Sequence, residues 1–377
     1  MSDDPHAGRS RPARTDYPAN WETDVVLRDG RPCHVRPIHT DDGAALQTFY
    51  DGLSEQSLYT RFFTASAELA ARDVERLTQI DYSRRVALLA ALRGQIIGMG
   101  VYDAAEGAEA EIAFTVADAH QGKGLGSVLL EHLAAIAREN GIHRFKAEVL
   151  SVNKNMLATF TAAGYSPSQT VNEGVVNLDF DIDPTAKTRL ISRAREHRAE
   201  ALSVRKMASP EHVVVMCDDI SQGSPGEMLV ANLVAASFVG RLWVVNPSGL
   251  GVHGVPGCVT LADVRDEVDM VVMALPPDQA EAAVPRCAEV GVLGIVFVTG
   301  GYRAGEGLER QPEIISAIRE SGMRIIGPNA LGLINTDPRV RLNASLVPQM
   351  PGRGRIGLFC QSAAFGAALL REVANRG

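Results

Sequence analysis

A glycine-rich loop between a predicted strand and a predicted helix constrains the fold of this chain more than any other feature. The loop runs from His120 to Gly126 with the sequence HQGKGLG. The apolar residues of 110–116 predict a strand before the loop. Apolar residues that recur on one face of 127–140 predict a helix after it. The three glycines let backbone N–H groups approach an anion without Cβ obstruction, and the helix N-terminus adds its dipole. The sequence therefore predicts a phosphate-binding loop, to which Lys123 would add a positive charge.

Two other glycine-containing phosphate loops do not fit this segment. A Walker loop requires a Lys-Ser or Lys-Thr pair after its last glycine, and no such pair follows Gly126. The Rossmann fingerprint requires the interval G-x-G-x-x-G, whereas the glycines here stand at Gly122, Gly124 and Gly126. A purely structural turn stays open as an alternative, because many tight turns are also rich in glycine.

The length of the chain, 377 residues, predicts two or three domains. In the first part, hydrophobic periodicity and turn residues predict strands at 24–38 with a turn at Asp29-Gly30, 85–92, 95–102, 110–116, 145–150 and 174–181, and helices at 40–52, 54–61, 67–79, 127–140 and 155–163. This order predicts an α+β domain over 21–181. A disordered tail at 1–20 is expected before it and a solvated linker helix at 182–207 after it.

The pattern changes after Pro210 to alternating strands and helices. Strands are predicted at 212–216, 242–246, 270–275, 294–298 and 324–326. This alternation is typical of a doubly wound parallel sheet, so a Rossmann-like domain is predicted over 208–345. A strand at 355–360 is predicted to begin a further flavodoxin-like or ligase domain over 346–377, which we interpret as truncated. The fold class is therefore α/β.

Composition and charge exclude several function classes. The net charge is −8 without a dense cluster of Lys and Arg, which argues against nucleic acid as a partner. The five cysteines are scattered and neither they nor the histidines show ligand spacing, so no metal site is predicted and a reducing compartment is favoured. No apolar stretch approaches the ~18 residues that span a bilayer, so no membrane partner is predicted. We expect a cytoplasmic protein.

Two segments together resemble one enzyme superfamily. The glycine loop has the pattern Q-x-x-G-x-G from Gln121 and lies between a strand and a helix. In this order it resembles the Q/R-x-x-G-x-G/A motif of the GNAT N-acetyltransferases. The segment from Asn153 to Tyr165 resembles the N-x-x-(A/M)-x-x-L-Y-x-x-x-G-F helix of the same superfamily. The resemblance implies acetyl-CoA as cosubstrate. Its implied binding residues are Phe114, Val116, Gln121, Gly122, Lys123, Gly124, Leu125, Gly126, Asn153 and Phe160. Phe160 stands where the family has a Tyr that protonates the leaving thiolate. A thiol with a pKa near ~8.5 leaves with little acid help.

The predicted general base is Glu111, on the strand that leads into the loop. A lysine amine has an unperturbed pKa near ~10.4, so a carboxylate must accept its proton at neutral pH. Many protein-modifying GNAT enzymes resemble this arrangement, with a catalytic Glu on that strand. Glu109, on the same strand face, is the rival base. Two histidines are also possible bases. His120 is expected beside the loop, and His132 is expected on the exposed side of the helix.

A third resemblance points to one group of enzymes within this superfamily. The run from Leu53 to Phe63 carries the pattern S-x-x-S-x-Y-x-R-F-F. It resembles bacterial protein lysine acetyltransferases in which a GNAT domain is fused to a region similar to NDP-forming acyl-CoA synthetases. This resemblance implies Nε-acetylation of a lysine on a protein substrate, with AMP-forming acyl-CoA synthetases as the implied targets. A small-amine N-acetyltransferase and a non-catalytic acyl-CoA sensor are the alternatives, because a shared fold does not define the substrate.

The second domain departs from the family pattern at its first loop. Gly327 to Gly332 is close to the G-P-N-C-x-G motif of the succinyl-CoA ligase-like CoA-binding domain, with Ala330 in place of Cys. The family's first loop begins Gly-Ala-Ser, whereas here Asp218 and Asp219 follow a cysteine. Carboxylates are unfavourable beside an anionic ligand. Asn246 stands where an NAD-binding protein has an acidic residue. We therefore predict a degenerate regulatory or scaffolding domain.

Overall fold

The computed structural model describes residues 17–63, 67–104, 107–298 and 311–376. The chain divides into two compact units, the first comprising the described residues up to Arg28 together with Cys33–Arg198. The second comprises Asp29–Pro32 and the described residues from Ala199 onwards. Of the tail predicted at 1–20, only residues 17–20 are described. There, Ala19–Trp21 forms a 3-10 turn with Trp21 buried.

The first unit contains an eight-stranded sheet and five helices that precede α6. Its elements are β1 Thr23–Val26, β2 Pro32–Pro37, α1 Gly43–Asp51, α2 Glu55–Phe62, α3 Ala67–Thr78, β3 Arg85–Leu92, β4 Gln95–Ala104, β5 Glu109–Val116, α4 Leu125–Glu139, β6 Arg144–Leu150, α5 Lys154–Ala162, β7 Ser168–Asn172, β8 Val175–Asp181 and α6 Ala186–Ala208. The strand order is β1-β2-β3-β4-β5-β6-β8-β7. The pairing of β5 with β6 is parallel.

Helix α4 packs on one face of this sheet and forms much of its core. Leu129 and Leu133 are fully buried. Two glycines in β4 make the close approach possible, because a Cβ on Gly98 would lie 2.7 Å from Leu125 Cδ2 and a Cβ on Gly100 would lie 2.9 Å from Leu133 Cδ1. This packing holds the N-terminus of α4 against the sheet, at the end of β5.

Most predicted elements of the first unit form, with shifts at their ends. The helix after the glycine loop begins at Leu125, so Leu125 and Gly126 belong to its first turn rather than to the loop. The helix predicted from residue 40 begins at Gly43, and His39 caps a separate 3-10 turn at Thr40–Asp42. Strand β7 was not predicted, since all five of its residues are exposed and show no apolar alternation.

The second unit is a six-stranded parallel sheet with helices, followed by a short antiparallel pair. Its elements are β9 His212–Cys217, α7 Pro225–Ala235, β10 Arg241–Val245, β11 Gly257–Cys258, β12 Met270–Ala274, α8 Pro277–Glu289, β13 Gly294–Phe297, α9 Gln311–Glu320, β14 Arg324–Ile326, β15 Gly332–Asn335, β16 Leu342–Ser345 and α10 Ala363–Arg376. The order is β11-β10-β9-β12-β13-β14. Successive residues of β9 pack into hydrophobic clusters on opposite faces. This burial explains the continuous apolar runs of these strands and confirms the predicted parallel sheet.

The strand predicted at residues 355–360 is wrong. This segment forms no strand, and Ile356 and Phe359 are more than nine-tenths exposed. Alternating apolar residues are compatible with a strand, but a strand also needs a neighbour to which its backbone can hydrogen-bond. No described element pairs with this segment.

Candidate active site

The sheet of the first unit opens between β5 and β6. The two strands pair only at Glu109↔Arg144, Ala110↔Phe145 and Glu111↔Lys146. Beyond Glu111, β5 pairs only with β4 and β6 pairs only with β8. The strands therefore diverge and form a cleft of about 580 Å³, lined by the backbone and side chains of the last residues of β5 and by Ala147–Val149 of β6. Backbone groups that would otherwise join the strands face this cleft.

The glycine loop closes one end of the cleft and leads directly into α4. Gly122 has φ +75° and Gly124 has φ +85°, a region that residues with a Cβ rarely adopt. Leu125, the first residue of α4, is 1% exposed and anchors the helix in the core. The unpaired N–H groups of the first helical turn and the dipole of α4 therefore point to this end of the cleft. This is the geometry that a phosphate-binding loop requires.

Hydrogen bonds from α2 hold the loop in place. Gln121 Nε2 donates to Ser57 Oγ at 3.0 Å and to the carbonyl of Val116 at 3.2 Å. Asp118 accepts from the backbone N–H of Ser54 at 2.9 Å and from the hydroxyls of Ser54 and Ser57, both at 2.7 Å. Burial opposes ionisation, but these hydrogen bonds keep the pKa of Asp118 below its usual value. The two serines of the S-x-x-S pattern therefore hold Asp118 and Gln121 in place through these hydrogen bonds.

The two glutamates on β5 have different surroundings. Glu109 Oε2 lies 2.5 Å from Lys146 Nζ, and Glu109 Oε1 lies 3.9 Å from Arg144 Nε. Glu111 lines the cleft, is exposed, and makes no side-chain hydrogen bond or ion pair with any residue that the structure describes. A base must be able to reach the proton it accepts. The geometry favours Glu111 over Glu109, whose charge is already neutralised by two cations.

The two histidines considered as rival bases lie in different places. His120 is half-buried and lines the cleft. His132 is also half-buried, because α6 packs beside α4: Arg195 of α6 forms an ion pair with Glu131 at 2.5 Å. The expectation that His132 is exposed was therefore wrong. Burial lowers the pKa of His132, and it does not line the cleft.

The opposite wall of the cleft is formed by α5. Asn153 Oδ1 accepts from the backbone N–H of Met156 at 3.1 Å and so caps this helix. Its amide Nδ2 has no partner among the described residues and is available to a ligand. Phe160 is fully buried, with its ring centroid 6.4 Å from that of Phe114 and 5.3 Å from that of Phe180. The aromatic ring therefore supports the wall but offers no proton.

The structure brings together nearly all the residues that the sequence predicted for this site. The cleft is lined by Glu111, Phe114, Val116, Gln121, Gly122, Gly124, Leu125, Gly126, Asn153 and Phe160. Lys123 is not part of the lining, so the charge that it was expected to supply stays a prediction. Arg28, which sequence reasoning missed, lines the cleft instead. No sequence signal near Arg28 points to the loop, because only the fold brings them together.

In the second unit, the loop between β9 and α7 is occupied by its own carboxylates. Asp219 accepts from the backbone N–H of Ser221 at 2.8 Å, and Glu227 accepts from the backbone N–H of Gly223 at 3.1 Å and pairs with His253. The Ser221 contacts lower the pKa of Asp219, and His253 and Gly223 lower the pKa of Glu227. Two backbone N–H groups of this loop, those of Ser221 and Gly223, therefore already have carboxylate partners.

No group of His, Cys, Asp and Glu side chains suited to a metal ion occurs among the described residues. None of the helices formed by these residues has the length and apolar character needed to cross a bilayer.

The splayed strands and the glycine loop define an acetyltransferase fold of the GNAT type. The sequence profile of the acetyltransferase (GNAT) family matches residues 54–165. An acetyltransferase of Pseudomonas aeruginosa is 31% identical over 144 residues, which are 37% of this chain and 77% of that protein. The chain therefore belongs to the GNAT acetyltransferase family. The chain is also similar to the crystal structure of the GNAT domain of S. lividans PAT, with 48% sequence identity and a TM-score of 0.42. The matched region is 44% of this chain and 99% of the S. lividans domain.

The acetyltransferase domain is fused to a second domain of known type. The profile of a CoA binding domain matches residues 212–336. ADP-forming acetate–CoA ligase II of Archaeoglobus fulgidus is 30% identical over 164 residues, which are 43% of this chain and 24% of the ligase. The chain thus spans about a quarter of the length of that relative. These findings confirm the predicted fusion of a GNAT domain with an acyl-CoA synthetase-like CoA-binding domain.

Proposed function

We propose that this protein transfers the acetyl group of acetyl-CoA to the Nε atom of a lysine on a target protein. The observation that carries the proposal is the position of Glu111, an exposed carboxylate without a partner among the described residues, at the point where β5 and β6 separate. The glycine loop at the other end of the same cleft supports the binding of the CoA phosphates. The thioester would then lie along the diverging strands, within reach of the carboxylate.

The proposed reaction needs one proton acceptor and one site for a developing negative charge. Glu111 takes a proton from the lysine ammonium, directly or through one water, and leaves a nucleophilic amine. The amine attacks the thioester carbonyl carbon, and the resulting oxyanion is stabilised by backbone N–H groups at the opening of β5. The nitrogen of the tetrahedral intermediate still carries one extra proton. As the C–S bond breaks, this proton passes through solvent to the sulfur of CoA, which leaves as a thiolate and becomes a thiol. The low pKa of a thiol, near ~8.5, makes this step feasible without a phenol at Phe160.

The exposure of Glu111 supports a protein acceptor rather than a small amine. A small amine needs an enclosed pocket that supplies its binding energy, because it has few atoms of its own. A lysine on a protein surface is positioned by contacts elsewhere and has a long side chain that reaches into an open cleft. The S-x-x-S segment of α2, which resembles that of protein lysine acetyltransferases, also borders this cleft. By the same resemblance, the proposed targets are AMP-forming acyl-CoA synthetases.

A labelling experiment tests the class of acceptor. We expect label from acetyl-CoA, added with the full chain to a cell lysate, to appear on lysine side chains of proteins and to be absent with the Glu111→Gln variant. Label confined to small molecules would instead indicate a small-amine acetyltransferase. Acetyl-CoA binding without any labelled product would indicate a sensor. Peptide mass spectrometry of the labelled proteins then identifies the target.

For the second unit, we propose a modulating role with CoA binding at least ten times weaker than in the first. The carboxylates of Asp219 and Glu227 occupy backbone N–H groups of the loop before α7. A CoA pyrophosphate would have to displace them or lie beside them. A like-charge pair a few ångströms apart costs on the order of 1 kcal/mol or more even when partly screened, about a factor of five to ten in affinity.

Calorimetry on the full chain tests this prediction. The wild-type protein is expected to bind one CoA per chain with high affinity, and a Gly124→Glu variant, which blocks the loop of the first unit, is expected to retain only weak binding. A submicromolar CoA site that persists in the Gly124→Glu variant would contradict the prediction and indicate a ligand-sensing second domain. Circular dichroism of the variant provides the control for folding.

A further inference from the structure

Arg28, two residues after the end of β1, packs directly on the glycine loop. Its backbone N–H donates to the carbonyl of Lys123 at 3.0 Å. A Cβ placed on Gly124 would lie 3.0 Å from both Cγ and Nε of Arg28 and 3.2 Å from Cδ. The arginine side chain therefore lies along the loop, close enough that a Cβ at Gly124 would have to displace it slightly. Its position next to Gly124 depends on the fold of the first unit.

The charge of Arg28 has no partner among the residues that the structure describes. The guanidinium is exposed, lines the cleft, and makes no hydrogen bond or ion pair with any described residue. Two other arginines of this unit are engaged: Arg61, which also lines the cleft, pairs with Asp73 at 3.2 Å, and Arg36 pairs with Asp42 at 2.7 Å. Lys154, the first residue of α5, is a second cation that lines the cleft without a described partner.

We propose that the guanidinium of Arg28 binds the pyrophosphate of the acyl-CoA cosubstrate. The proposal rests on the binding of acetyl-CoA at the glycine loop and assigns to that site a full positive charge beside the loop. Backbone N–H groups and the α4 dipole supply partial positive charge, whereas a pyrophosphate carries full negative charges. Guanidinium groups bind phosphate oxygens through two parallel hydrogen bonds, which a backbone loop does not offer. Arg28 thereby positions the cosubstrate and takes no part in the chemical step.

Matched variants and truncated ligands test this inference. Arg28→Gln removes the charge, Arg28→Lys keeps the charge without the fork of donors, and Arg72→Gln removes an exposed α3 arginine that does not line the cleft. Dissociation constants are measured by calorimetry for CoA and for 3′-dephospho-CoA, and transfer rates are measured with acetyl-pantetheine, which has no phosphate. Circular dichroism of each variant shows that the fold is retained.

We expect Arg28→Gln to raise the dissociation constants of CoA and 3′-dephospho-CoA by about tenfold, as for loss of a charge-assisted hydrogen bond. Arg28→Lys should cause a smaller rise, and Arg72→Gln almost none. The rate with acetyl-pantetheine should stay unchanged, which a general disruption of the cleft would not allow.

Two results would overturn the assignment. A change below twofold for Arg28→Gln with both ligands would show that the guanidinium does not bind the cosubstrate. A loss with CoA but not with 3′-dephospho-CoA would place Arg28 at the 3′-phosphate instead of the pyrophosphate. Neither of these results would contradict the proposed transfer reaction. Failure of the wild-type chain to bind CoA would contradict the proposed function as well.

Discussion

Replacing Glu111 by Gln is expected to lower turnover by about 10²–10⁴-fold, the usual contribution of a general base, while acetyl-CoA affinity stays nearly unchanged. Glutamine has the size of glutamate but cannot accept the ammonium proton of lysine. Affinity should persist because the proposed site of the phosphates is the glycine loop after β5, whereas Glu111 lies near the start of that strand. Turnover is measured under saturating acetyl-CoA, and affinity is measured by direct titration.

The pH dependence gives this variant a distinctive signature. Without a base, the reaction depends on the small fraction of lysine that is already neutral, and this fraction rises as the pH approaches the amine pKa near ~10.4. The rate of Glu111→Gln should therefore increase with pH through the range where the wild-type rate is flat, and the two should converge at high pH. A constant ratio between them would argue against loss of a proton acceptor.

Glu109→Gln is the matched control for Glu111→Gln. It makes the same chemical change on the same face of β5, but at a carboxylate that pairs with Lys146 and lies outside the cleft lining. Its turnover should fall less than tenfold. A drop of less than tenfold for Glu111→Gln at pH 7–8, or a larger drop for Glu109→Gln, would show that Glu111 is not the base.

A Gly124→Glu substitution is expected to weaken acetyl-CoA binding by about 30-fold or more. Gly124 has φ +85°, and a Cβ there would lie 3.0 Å from the side chain of Arg28. The left-handed conformation costs a residue with a Cβ about 1–2 kcal/mol, and a carboxylate beside the pyrophosphate adds on the order of 1 kcal/mol or more. The loop must change shape or repel the ligand, and both effects reduce affinity.

Gly174→Glu provides a control for backbone strain. Gly174 has the same φ of +85° and lies in the turn between β7 and β8, where a Cβ would meet no other atom within 4 Å. Both substitutions should lower thermal stability, but only Gly124→Glu should lose affinity in a direct titration. Gly126→Glu places the charge in the first turn of α4, where φ is not positive, and should also weaken binding. Unchanged affinity in Gly124→Glu would refute the role of this loop in binding the phosphates.

Local patterns in the sequence predicted most of the elements that carry the site. The apolar alternation of 110–116, the glycines of the loop and the apolar face of 127–140 describe β5, the turn and α4, because each depends on residues close in sequence. The same holds for the parallel strands of the second unit. The prediction failed at 355–360, where an apolar pattern has no neighbouring strand to pair with among the described elements.

The sequence by itself determined the order of most elements and the position of the glycine loop, because helical and strand periodicity and glycine conformational freedom are local properties. Only the tertiary structure decided which carboxylate is available, since Lys146 of β6 reaches Glu109 and not Glu111. It also brought Arg28 to Gly124 and linked Gln121 to Ser57. These contacts join residues far apart in the chain, and their geometry follows from how the sheet opens between β5 and β6.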